Sequence, residues 1–150
     1  LSILQRFYYI FRLAPLRPRQ IRAVKKEAKH YHFDWTLVTD GGARFENMVA
    51  CHLLKWCHFL EDTEGRDMEL RYFRDVDLHE VDFIVMENTK PILFCECKRK
   101  EHEIGKGLQY LHERLPHVPS VQIILEEESD FLHKSGIKVR AAVNFLKDLV

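Results

Sequence analysis

The sequence predicts an α/β fold in which a mixed central sheet is flanked by helices, in the order α-β-β-β-α-β-α. Three observations predict it. From Ala43 to about Leu60 the apolar residues Phe45, Met48, Val49, Leu53, Trp56, Cys57 and Leu60 recur at intervals of three and four, the period of an amphipathic helix. The runs "MELRYFRD", "HEVDFIVMEN" and "PILFCECKRK" are rich in branched and aromatic residues and are separated by short polar turns, as in an antiparallel meander. Helical spacing then returns in "EIGKGLQYLHERL" and "VRAAVNFLKDL", on either side of a short branched strand, "SVQIILEE".

Residues 1–40 read as an N-terminal extension, a connector or winged-helix remnant, and residues 41–150 as the main domain, with Gly41-Gly42 marking the break. The extension holds an apolar aromatic run, "FYYIFRLAP", and a short strand in "YHFDWTLV". Between them Arg17, Arg19, Arg22, Lys25, Lys26 and Lys29 stand against Glu27, a local charge of +5 that suits either a solvated connector or a nucleic-acid contact.

At 150 residues, 46% hydrophobic and 31% charged, the chain has the size and composition of one globular domain. Its formal charge of zero excludes a protein that holds nucleic acid by net charge alone, though not one with a local basic patch. Cys51, Cys57, Cys95 and Cys97 fall within helix and strand runs and read as buried small hydrophobes. The opening "LSILQRFYYIF" has neither the charged start nor the small-residue cleavage site of a secretory leader. A cytoplasmic location is expected, and so is a longer chain of which this is one part.

Three charges interrupt the strand runs: Asp82, Glu96 and Lys98. Burying an unpaired charge is unfavourable by several kcal/mol, so such residues are paired, bound to metal, or at the surface. Alternation puts Glu96 and Lys98 on one face of their strand. A hairpin centred near Thr89 brings Asp82 opposite Glu96. Two carboxylates held that close repel one another unless a cation or a shared proton lies between them. Hard oxygen donors at this density suit Mg²⁺ or Mn²⁺, which bind through one or two carboxylates and leave positions for phosphate oxygens. Each residue alone also admits a plain ion-pair role: Asp82 with Arg71 or Arg74, Glu96 with Lys98 or Lys100, and Glu46 as a helix cap.

Asp82, a gap of thirteen residues, then Glu96-Cys97-Lys98 resembles the D…ExK signature of the PD-(D/E)XK nuclease superfamily, with Val81 in place of the proline that names it. Glu46, in "GGARFENMVA", stands where many members carry a glutamate on the first core helix. More narrowly, "KHYHFDWTLV", "GARFENMVACHL", "ELRYFRD…HEVDFIV", "KPILFCECKRKE" and "GIKVRAAVNFL" resemble the C-terminal domain of unknown function of archaeal and bacterial AAA-type ATPases. The chain contains no GxxxxGK[ST], so the ATPase that the resemblance implies is expected upstream of Leu1.

The resemblance implies a restriction-endonuclease-like core and metal-dependent hydrolysis of DNA. In that reading Asp82, Glu96 and the Cys97 carbonyl ligate Mg²⁺ or Mn²⁺, Glu46 reaches the ion through water, and Lys98 positions the attacking water and offsets charge on the phosphate. Gln109 is the supporting polar residue, and Arg71, Arg74, Arg99, Lys100 and Lys106 are the expected phosphate contacts. The alternative is a non-catalytic DNA- or protein-interaction domain that regulates the ATPase.

Overall fold

The computed structural model describes residues 2–16 and 27–149. A short helix α1 (Ser2–Arg6) leads into strands β1 (Ile10–Pro15) and β2 (Lys29–His32) and a 3₁₀ turn at Trp35–Leu37. The main domain runs α2 (Gly41–Glu64), β3 (Met68–Arg74), β4 (Glu80–Glu87), β5 (Lys90–Lys98), α3 (Lys106–Arg114), β6 (Ser120–Ile124), β7 (Phe131–Leu132), β8 (Lys138–Ala141) and α4 (Ala142–Lys147). The described strands form one mixed eight-stranded sheet, ordered β2-β1-β3-β4-β5-β6-β8-β7. The pairs β1–β3, β5–β6 and β6–β8 are parallel and the other four antiparallel.

The long helix and the β3-β4-β5 meander are as the sequence predicts. Asp40 starts α2 by accepting the Ala43 N–H at 2.8 Å, which satisfies one orphan amide of the first turn. Gly65 ends it with φ +66°, its N–H bonded to Glu61 O. One stripe of α2, comprising Phe45, Val49, Ala50, Leu53, Cys57 and Leu60, is 0–5% exposed. It packs with α4 on the sheet face that carries Leu70, Phe83, Val85, Cys95 and Ile123. Each large apolar side chain buried there contributes about 1.5–3 kcal/mol. The opposite face, with Phe73, Ile84, Met86, Phe94 and Ile124, is covered by Leu108 and Leu111 of α3. The sheet is thus sandwiched between helical layers.

Two features depart from the sequence reading. "VRAAVNFLKDL" divides: Lys138–Ala141 is strand β8, parallel to β6, and the helix begins only at Ala142. The two-residue β7 then pairs with β8 at the sheet edge. In addition the extension does not stand apart from the domain, because β1 joins β3 in parallel through Ala14 and Pro15 and brings β2 into the same sheet. The basic residues Arg17 to Lys26 lie outside the described residues; Lys29 lies within them. No helix among the described residues is long and apolar enough to cross a membrane.

Candidate metal and phosphate site

Strand irregularity creates the site. Along β3 and β4, Arg71 pairs with Ile84 but Phe73 pairs with Val81, so two residues of β4, Asp82 and Phe83, share the interval opposite Tyr72. This β-bulge bends the strand and re-aims its side chains. Val81 and Phe83 consequently pack into opposite cores although they are two residues apart. The hairpin to β5 turns through Asn88 and Thr89, both with positive φ, as a two-residue turn matched to strand twist requires. Phe83 opposes Cys95, so Asp82 and Glu96 come next in register, as the spacing predicts. The Cys97 N–H donates to Asp82 Oδ2 at 2.9 Å.

Glu96 is buried at 8% exposure, with Lys98 Nζ 3.0 Å from its Oε1. Its Oε2 is the one buried side-chain polar atom among the described residues without a hydrogen-bond partner. The loop beyond β5 presses against this carboxyl: a β-carbon on Gly105 would lie 3.0 Å from Glu96 Oε1. Gln122, fully buried on β6 and in register with Glu96, fixes that loop by accepting the Gly105 N–H and donating to the carbonyls of Glu101 and Glu103. Two residues on, Gly107 lets α3 lie directly on β4, because a β-carbon there would meet Glu80 O at 2.0 Å.

Glu46 arrives from α2, its Oε1 accepting from Tyr31 Oη at 2.6 Å and Lys29 Nζ at 3.2 Å. Lys29 also reaches Glu80 Oε1 at 2.5 Å and Asp82 Oδ1 at 3.7 Å. Burial, followed by the charges of Glu96 and Glu46, pushes the Asp82 carboxyl well above its ordinary value against the opposing pull of Lys29 and the Cys97 N–H. Burial likewise raises Glu96, with Lys98 opposing. For Lys29, burial pulls downward, but Glu46, Asp82 and Glu80 outweigh it and hold the ammonium above its ordinary range. The arrangement is a half-buried acidic cluster neutralised from two sides, by Lys29 and Lys98.

The predicted residues Glu46, Asp82, Glu96 and Lys98 therefore converge. Gln109 does not join them: it sits exposed on α3 with its amide bonded to Glu113, because the side of α3 that faces the sheet is the one carrying Gly107, Leu108 and Leu111. Of the expected phosphate contacts, Arg71 is paired with Glu69 and donates to Pro15 O, Arg74 grips Glu80 through both Nε and Nη2, and Arg99 pairs with Glu126. Lys100 and Lys106 are exposed. Lys29, Tyr31, Glu80 and Gln122 belong to the site and escaped the sequence reading. Glu80 was detectable two residues before Asp82 on one strand, whereas nothing local marks the others.

A different acidic group, Asp75, Asp77 and His79, brings its potential ligand atoms within 4.8 Å of one another in the β3–β4 turn. Buried Asp75 is already committed there, accepting the N–H groups of Asp77 and His79 and meeting His79 Nδ1 at 2.9 Å. Among the described residues no other three such groups close to that distance; Glu46 and Asp82 are held apart around Lys29, and Glu96 is paired with Lys98.

A family model, the domain of unknown function DUF4143, matches residues 41–144, more than two thirds of the chain. The chain belongs to the DUF4143 family. DUF4143 domains are commonly found at the C-termini of AAA-type ATPases. The match opens at Gly41, the first residue of α2, and takes in Glu46, Asp82, Glu96 and Lys98. Neither curated proteins nor solved structures give a significant match.

Proposed function

We propose that this DUF4143 domain is a divalent-metal-dependent phosphodiesterase acting on DNA, with a restriction-endonuclease-like core, as the C-terminal module of an AAA-type ATPase. The observation that carries the reading is the buried, unpartnered Glu96 Oε2 beside Asp82, on adjacent strands and with Lys98 attached. Such an atom costs about 1–3 kcal/mol or more unless something satisfies it. The donors present fit Mg²⁺ or Mn²⁺: two hard carboxylates, Asp82 and Glu96, with the Cys97 carbonyl in reach along the same strand. When bound, the ion supplies Lewis acidity toward a phosphate oxygen and a water of lowered pKa.

The remaining work falls to side chains of the chain itself. Lys98 is part-exposed and anchored at 3.0 Å to Glu96 Oε1, which suits an ammonium that holds a water or faces charge building on a phosphate. Burial pulls the Lys98 ammonium downward, but Glu96, joined by Asp82 and Glu101, outweighs it and holds the group above its ordinary value. Exposed Lys100 and Lys106, and Arg99 on the rim, are available to duplex phosphates and would position the substrate without reading its sequence.

One observation favours the second reading, a non-catalytic DNA- or protein-interaction domain that regulates the ATPase: Lys29 neutralises the cluster as a structural ion pair would. Incubation of the purified protein with supercoiled and branched DNA in Mg²⁺ or Mn²⁺ separates the two. Nicking or cutting that disappears with EDTA and in Glu96→Gln supports the enzyme; DNA retention without any cleavage supports the binding module.

A further inference from the structure

We propose that Lys29 is an internal cation that occupies the carboxylate cluster when no metal is bound, so that the seating of β2 and the tight binding of a divalent ion exclude one another. The inference rests on the metal reading above and adds to it a gate carried by the N-terminal strands.

The geometry of the ammonium is that of a stand-in ion. Lys29 Nζ has three carboxylates around it, Glu80 Oε1 at 2.5 Å, Glu46 Oε1 at 3.2 Å and Asp82 Oδ1 at 3.7 Å, and its side chain is only 22% exposed. An ordinary surface pair has one partner and little worth; here a single cation is shared by three acids from α2 and β4. A divalent ion that used Asp82 would lie close to this ammonium, and the two would repel. The ammonium must then swing out of the cluster, and its stem leaves from β2.

The strand that carries Lys29 is built for placement and for release. β2 lies at the sheet edge and pairs with β1 alone, over four residues. Its other holds come from side chains. Buried Asn47 of α2 accepts the His32 N–H at 2.9 Å and donates to His32 O at 2.6 Å, imitating the two ladder bonds of a missing neighbour. Buried Tyr31 donates to Glu46 Oε1, the same oxygen that Lys29 contacts, and Tyr72 donates to Glu27 O at 2.5 Å. A metal that recruits Glu46 therefore removes two contacts of β2 together, whereas one that leaves Glu46 alone still meets Lys29 beside Asp82.

Calorimetric titration of MnCl₂ into the wild-type chain, Lys29→Met and Lys29→Arg tests the exclusion. Lys29→Met is expected to bind Mn²⁺ at least tenfold more tightly than wild type, and Lys29→Arg about as wild type does. Binding by wild type that is unchanged or weakened in Lys29→Met would overturn the exclusion and leave the metal site standing. Heat in none of the three proteins would overturn both. Since Lys29→Met takes the cation from Glu46 and Asp82, leaving only Glu80 with Arg74, and could misfold, a second measurement uses the wild-type chain. Reductive methylation followed by peptide mass spectrometry should modify Lys29 slowly without metal and severalfold faster in saturating Mg²⁺, while exposed Lys90 reacts equally in both. A Lys29 rate that saturating Mg²⁺ leaves unchanged would overturn the proposal.

Discussion

The Cys97 N–H donates to Asp82 Oδ2 at 2.9 Å, so a side-chain carboxylate of β4 takes a main-chain hydrogen bond from β5 just beyond the last regular pair, Phe83 with Cys95. The bulge at Asp82 and Phe83 is what frees the carboxylate to do so. Asp82 is thereby held in one orientation by the backbone, leaving Oδ1 toward Lys29. A fixed carboxylate is a better metal ligand than one that must be ordered on binding.

Asp82→Asn keeps an acceptor for the Cys97 N–H but removes the charge. Mn²⁺ affinity measured by calorimetry should fall more than tenfold, while the metal-free melting temperature holds or rises, because a carboxyl that burial and two like charges disfavour has been replaced by a neutral amide. A metal-free protein that melts lower, with Mn²⁺ affinity intact, would remove Asp82 from the site.

The same groups set a pH dependence. Asp82 and Glu96 have folded-state pKa values above their unfolded ones. Their contribution to stability is therefore complete below the ordinary carboxylate range, about 4, and is lost as pH rises through the raised folded values. Carboxyls that folding depresses, such as Glu80 and Asp130, act the other way, and only as pH falls through their lowered values. Metal-free protein should accordingly melt higher at about pH 5 than at about pH 7.5, and Asp82→Asn should flatten that slope. A wild-type midpoint that climbs steadily between those values would contradict the shifts.

Gly107→Ala tests the close approach of α3 to β4. In an exposed helix the change would stabilise by about 1 kcal/mol. Here the new β-carbon would sit 2.0 Å from Glu80 O, backbone that cannot yield as a side chain would, so a loss of about 1–3 kcal/mol is expected in denaturant melts.

Much of this arrangement is legible in the sequence because it is periodic. The stripe Phe45, Val49, Leu53, Cys57 and Leu60 declares α2, and alternation through Phe94, Glu96 and Lys98 declares a charged end to a buried strand. A hairpin centred at Thr89 sets Asp82 opposite Glu96, and the strands reach that register by another route. The turn at Asn88-Thr89 alone would oppose Asp82 to Cys95, and one extra residue of β5 at the shift between Val85 and Met86 moves the pairing on by one. What escaped is aperiodic or distant. Strands β7 and β8 have two and four residues, too few to display alternation, and β8 runs straight into α4 through Ala141 and Ala142. The bulge at Asp82 changes no residue type. Lys29 meets Glu80 and Asp82 across some fifty residues of chain, a relationship created by the parallel pairing of β1 with β3, and in the sequence it was simply the last charge of a basic stretch.

Asn47→Ala should loosen β2 without touching the carboxylates. It removes both side-chain bonds to the His32 backbone, leaving a donor and an acceptor to find water, a loss of about 1–3 kcal/mol. Hydrogen exchange at the His32 amide should quicken well before the core strands β4 and β5 respond, since an edge strand opens locally. Protection at His32 that survives the substitution would show that β1 alone holds the strand.

Lys98 separates an enzyme from a binding module. If the domain cleaves DNA, the Lys98 ammonium, anchored on Glu96, matters most when charge builds on the phosphate. Lys98→Ala should then retain metal and most DNA affinity while single-turnover cleavage slows by about a hundredfold or more, the usual consequence of losing one electrostatic stabiliser. If the domain only binds, Lys98 is a phosphate contact or a partner for Glu96, and its loss lowers affinity or stability by about 1 kcal/mol with no metal-dependent cutting to lose. The substitution also strips Glu96 Oε1 of its partner and adds a second unsatisfied oxygen to Oε2, so a fall in metal-free stability is expected in either case and cannot decide between them. The ratio of the cleavage effect to the DNA-binding effect, measured on one preparation at saturating protein, does decide. Metal-dependent cutting at full rate in Lys98→Ala would mean that the activity originates outside this cluster.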